Sequence, residues 1–215
     1  MTIKKLLLAL IFVGVISNSH GQKSRKSFFF PSKIGIQFVQ GNENNFLFDD
    51  NDYFYRTQII KGQFYYPLTH FKTVHFSLIV NPQVQLIQHQ LYNEHFVRPD
   101  ESNYLEKRQK FTQLKNLSLT ALELSFEAKQ LIFKGFSVFL QASVGVAYID
   151  TATERLAKGF TFIENGNVGF ELQLNSKTSL QLFGGVGHVS NFNFSKPNAG
   201  YNIFNTGLSL QYSLQ

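Results

Sequence analysis

The 215-residue chain has no cysteine, which excludes disulfide scaffolds, thiol catalysis and cysteine-ligated zinc. It has no tryptophan either, and only 5 prolines against 15 glycines. Charged residues make up just 16%, and the formal charge of +6 is not gathered into Lys/Arg blocks. Basic residues are also not interleaved with aromatics as a single-strand nucleic-acid groove requires, so no nucleic-acid partner is assigned. A mean hydropathy of −0.11 excludes a helical membrane bundle. What the chain does have is 24 phenylalanines and 9 tyrosines, a mixture that favours strands.

Residues 1–21 read MTIKKLLLALIFVGVISNSHG. Lys4 and Lys5 form a positive n-region, Leu6 to Ile16 an apolar h-region, and Ser19 and Gly21 the small residues before a cleavage point at Gln22. The apolar run falls short of the roughly 20 residues a spanning helix needs. The expectation is a signal peptide over 1–21 and an exported domain over 22–215. Cleavage removes two lysines and leaves a formal charge of +4.

Beyond residue 30 no helical periodicity of useful length is found. Alternation of apolar and polar residues recurs instead and predicts strands over 33–42, 55–66, 71–91, 117–128, 135–150, 160–174, 178–190 and 200–214. The breaks at 41–54, 92–116, 151–159 and 191–199 are long and polar, whereas those at 67–70, 129–134 and 175–177 are short. Long and short connections in strict alternation, on an even strand number, predict an all-β, eight-stranded antiparallel transmembrane β-barrel. Such a barrel lies in the cell outer membrane with both termini periplasmic. In the fifth strand Phe136, Val138, Leu140, Ala142, Val144, Val146 and Tyr148 share one face, opposite Ser137, Phe139, Gln141, Ser143, Gly145 and Ala147. An apolar face against a small or polar one suits a lipid-facing wall around a filled lumen. The second strand fits poorly, because Ile59 and Lys61 share a face.

On the seventh strand, parity puts Leu180, Leu182, Gly184, Val186, His188 and Ser190 on the outward face. The eighth presents Asn202, Phe204, Thr206, Leu208, Leu210, Tyr212 and Leu214, and a symmetric pairing sets Asn202 across from Ser190. A serine, a histidine and an asparagine therefore gather on the lipid-facing side near the outer rim. One account is decoration, with His188 and Ser190 meeting the lipid headgroups. The other is nucleophilic catalysis, since a serine beside an imidazole and an orienting group suits ester hydrolysis.

Gly187-His-Val-Ser-Asn191, followed by Lys196-Pro-Asn-Ala-Gly-Tyr-Asn202, resembles the signature of the PagL-type lipid A 3-O-deacylases, outer-membrane barrels of eight strands grouped with acyloxyacyl hydrolases. The motif covers the last two strands and their loop. The resemblance implies a serine esterase that removes the 3-O-acyl chain of lipid A, with Ser190 as nucleophile and His188 as general base. It implies no cofactor. Asn198, Asn191 and the backbone N–H groups of loop 191–200 become oxyanion candidates. Its partner is lipid A, or lipopolysaccharide, in the outer leaflet of the membrane; a monomer and a homodimer both suit it. The family carries an acid where this chain has Asn202. Counting up a ladder from a three-residue hairpin at 175–177 sets Glu164 opposite His188, as a substitute acid. The alternative places Glu164 in the loop before a shorter strand. The rival function is a non-catalytic structural or adhesion barrel.

Gly184, Gly185 and Gly187 thin the seventh strand below His188, either for acyl chains or for barrel packing. Lys107, Arg108, Lys110 and Lys115 are either lipid A phosphate contacts or a solvated face, with Glu94, Asp100, Glu101 and Glu106 interspersed. His70, His75, His89 and His95 are scattered, and no metal is assigned.

Overall fold

The computed structural model describes residues 30–43, 47 and 51–214. They lie almost entirely within one unit, Pro31–Gln215. The expected leader, 1–21, lies outside the described residues. Eight strands follow in order: β1 (Lys33–Asn42), β2 (Tyr53–Phe71), β3 (Val74–Leu91), β4 (Lys115–Phe133), β5 (Phe136–Ile149), β6 (Gly159–Gln173), β7 (Thr178–Ser190) and β8 (Tyr201–Ser213). Each pairs antiparallel with its neighbours, and β1 pairs with β8 to close the ring. This is the expected transmembrane barrel, with long connections on one rim and tight turns on the other.

The register fixes the stagger. Partners run Asn202–His188–Glu164–Val144–Leu124–Val80–Phe64–Ile34 and close on Tyr212, ten residues along β8 from the start. Such a shear in an eight-stranded ring gives strands tilted by roughly 35–45°. Outward side chains such as Leu122, Leu124, Val144, Val168 and Leu208 stay exposed, as a lipid-facing wall requires.

The lumen is stratified. Toward the loop rim it is apolar, with Tyr55, Ile87, Leu119, Ile149, Ile163, Val189, Tyr201 and Ile203 packed against Leu156, Val97 and Phe111 from the loops. Deeper, it is polar. Glu123 accepts from Lys61 (2.6 Å), Gln83 (2.7 Å), Asn165 (2.8 Å) and Ser143. Lys61 thus belongs on the face of Ile59: both point inward, and the lysine meets its counter-charge across the lumen.

Two sequence expectations are corrected. The breaks at 67–70 and 129–134 are mostly strand, and the turns shrink to Lys72–Thr73 and Lys134–Gly135. Pro67 has no N–H to give the ladder, and β2 absorbs it with a register shift at Leu68 instead of ending there. The connection 92–114 holds a 3₁₀ turn, Glu94–Phe96, and a short helix, α1 (Tyr104–Phe111). Eight residues of good helix formers with one buried side chain, Phe111, are too few to show a period.

Candidate active site

His188 and Ser190 end β7 at the loop rim, facing lipid. The register pairs Asn202 with His188, not with Ser190. Gly200, at φ +67, turns the chain out of the ladder, so pairing begins at Tyr201 with Val189. The shift is two residues, which preserves every face. Asn202 thereby comes beside the ring, and His188 Nδ1–H donates to Asn202 Oδ1 over 2.7 Å. That bond holds the tautomer that leaves Nε2 as the basic nitrogen. On the other side β6 already runs from Gly159, so Glu164 lies within the strand and is the Cα partner of His188. The histidine is flanked by an amide and a carboxylate. Ser190 is buried, its carbonyl accepting from Thr161 Oγ1 (2.8 Å).

Loop 191–200 is tied by its own asparagines. Asn191 is wholly buried; its N–H donates to Asn198 Oδ1 (2.6 Å) and its Nδ2 to Ser195 O and Oγ (2.9 and 3.0 Å). Asn198 Nδ2 keeps only a 3.4 Å contact with Asn193 Oδ1. The two oxyanion candidates are thus joined to each other, with the donors of Asn191 directed into the loop. Gly200 backs the site: an added Cβ would stand 2.6 Å from Val189 O, 3.1 Å from His188 Cε1 and 3.3 Å from Ser190 Cβ. Only glycine fits there, on both counts.

An apolar shelf flanks the serine. Phe162 is the Cα partner of Ser190, and its ring meets Phe160 and Phe192 at 4.8 Å and Phe194 at 6.0 Å. Phe192 and Phe194 stay exposed on the loop. Of the three β7 glycines, Gly185 and Gly187 face the lumen, where an added Cβ would strike Asn167 and Asn165. Gly184 faces lipid, where an added Cβ would make ordinary contacts with Phe204 Cζ (3.5 Å) and Asn205 O (3.7 Å). Of the basic residues, Lys107 pairs with Glu101 (3.0 Å), Arg108 Nε donates to Val97 O (3.0 Å), and Lys110 and Lys115 stand over the ring of Phe111.

Sequence reasoning read the connection after β5 only as a long polar break and His89 only as one of four scattered histidines, and gave neither a role. His89 is fully buried, its Nε2 2.6 Å from Glu154 Oε2 and its Nδ1 2.9 Å from Phe54 O. Tyr55 stacks between His89 and Tyr201, at 4.2 Å from each. Parity marked β2 as irregular but held no sign that this loop folds into the barrel mouth.

No curated protein matches the sequence. Among solved structures, the crystal structure of the outer membrane enzyme PagL superposes with a TM-score of 0.53 at 11% identity, covering 82% of this chain and 97% of that one. Neisserial surface protein A follows at 0.43 and 10%, covering 85% and 96%. Ail, the attachment invasion locus protein of Yersinia pestis, gives 0.39 at 12%, covering 86% and 99%. The PagL superposition bears on the fold alone. The sequence itself matches the family model for lipid A 3-O-deacylase (PagL) over residues 83–212, which takes in β4–β8, loop 191–200 and the His188–Ser190–Asn202 cluster. With more than half its length matched, the chain belongs to the lipid A 3-O-deacylase (PagL) family.

Proposed function

We propose that the protein is an outer-membrane serine esterase that hydrolyses the 3-O-acyl ester of lipid A. One observation carries this: a serine stands two residues from a histidine whose Nδ1–H is fixed by Asn202 at 2.7 Å, on the lipid-facing wall of a barrel in this family. Ser190 Oγ attacks the ester carbonyl while His188 Nε2 takes its proton. The imidazolium then gives that proton to the departing 3-oxygen of the sugar, which leaves as a hydroxyl, and an acyl-serine remains. Water, activated by the same imidazole, releases the fatty acid. Asn202 holds the tautomer, and Glu164 supplies the negative charge that an amide lacks. Asn198 Nδ2 is the oxyanion donor, with Asn191 as its brace rather than a second donor. The acyl chain lies along Phe162 and Phe192.

The depth of the site supports the substrate. An ester just below a sugar headgroup is met by a serine at the rim without extracting the lipid. The long connections then face outside and the termini the periplasm. The test is release of free 3-hydroxy fatty acid from purified lipopolysaccharide by the detergent-solubilised barrel. Wild type is expected to release it, and Ser190→Ala and His188→Ala to lose release while the barrel stays folded. No release by folded wild type would favour a structural or adhesion barrel.

A further inference from the structure

We propose that Arg155 is a positioning residue for this site, holding Gly200 against His188 and Ser190 from the loop between β5 and β6. The inference rests on the esterase assignment and adds a residue to it.

Arg155 grips Gly200 at both of its polar ends. Its Nε–H donates to Gly200 O (2.7 Å), and its own carbonyl accepts from Gly200 N–H (3.1 Å) and Ala199 N–H (2.8 Å). Its guanidinium stands 4.3 Å from the ring centre of Tyr53 and 5.0 Å from that of Phe96. A planar guanidinium can stack on rings and still direct Nε–H sideways to a carbonyl; an ammonium cannot do both in that plane.

The neighbours of Arg155 make the grip rigid. Thr153 Oγ1 accepts from Tyr55 Oη–H (2.8 Å) and from the N–H of Leu156 (3.0 Å) and Arg155 (3.3 Å). Leu156, fully buried, forms a bridge with Asn198, and Ala157 N–H donates to Pro197 O (3.0 Å). The loop 150–158 therefore seizes the segment 197–200, which contains the oxyanion donor Asn198 and the glycine behind the histidine. Without the arginine, Gly200 keeps its conformation but loses the side-chain bond that sets its distance from the imidazole. A misplacement of about 1 Å can cost such a reaction roughly 10²-fold in rate.

The experiment measures kcat and KM for lipopolysaccharide deacylation by folded, heat-modifiable wild type, Arg155→Ala, Arg155→Lys and, as a control, Arg98→Ala, whose guanidinium sits on exposed Asp100. Arg155→Ala is expected to lower kcat about 10- to 100-fold with KM nearly unchanged, with Arg155→Lys intermediate and the control at wild-type rate. Wild-type kcat in Arg155→Ala, or a loss carried wholly by KM, overturns the proposal. Should Arg155→Ala fail to fold, Arg155→Lys decides: reduced kcat supports the role and wild-type kcat overturns it. A folded wild type that releases no fatty acid overturns the esterase assignment itself, and this inference with it.

Discussion

At the scale of residues, the unusual feature is an amide where a serine esterase needs a charge. Asn202 bonds His188 through Oδ1, but in the proposed mechanism it cannot stabilise the imidazolium that forms during attack. In chymotrypsin-type triads the aspartate-to-asparagine change costs about 10⁴ in turnover. Glu164, opposite His188 on the other ladder, is the carboxylate in position to offset that loss. Directly opposed residues hold their Cβ atoms roughly 5 Å apart, near enough for these two side chains to meet. The expected outcome is that Glu164→Gln lowers deacylation by about an order of magnitude or more, and that Asn202→Glu, assayed alongside, gains little. A silent Glu164→Gln with a damaging Asn202→Leu would assign the whole task to Asn202. The ladder count from hairpin 175–177 reached Glu164 because that connection is short and fixes register. The symmetric pairing of β7 with β8 missed the partner of Asn202 by two residues, because loop 191–200 is long and its geometry depends on Gly200.

At the scale of elements, a buried ion pair ties β2 to β4, which share no ladder. Lys61 and Glu123 are both buried, and the carboxylate takes donors from four strands, β2, β3, β5 and β6. Removing one partner leaves the other charge stranded in the lumen. Glu123→Leu is expected to destabilise the barrel by about 3–5 kcal/mol, measured by urea unfolding in micelles, and the double change with Lys61→Met to recover much of that. Equal stability of Glu123→Leu and wild type would show that the lumen admits enough water to screen the pair. Alternation along β2 exposed the lysine as a misfit, yet its remedy lies 62 residues away on β4. No local pattern reports a partner at that distance. The same holds for α1, whose single buried residue hides any period.

At the scale of the whole molecule, β1 begins and β8 ends on the rim of tight turns, opposite the rim that carries the site. An epitope inserted in the connection 92–114 should be labelled on intact cells, and one at the C-terminus only after permeabilisation. The reverse pattern would put the serine at the inner leaflet, away from the proposed substrate. Period-two alternation and the rhythm of long and short breaks were enough, by themselves, to place the eight strands, to divide the faces of every strand but β2, and to mark the rim that bears His188 and Ser190. Parity decides which way a side chain points, and it is a property of the local backbone. Height is different. Which residue stands beside which depends on a stagger that sums to ten residues around the ring and on loops that fold back into the mouth. Only the closed barrel, where every register must agree at once, decided that Asn202 meets His188, that Lys61 meets Glu123, and that Arg155 reaches Gly200.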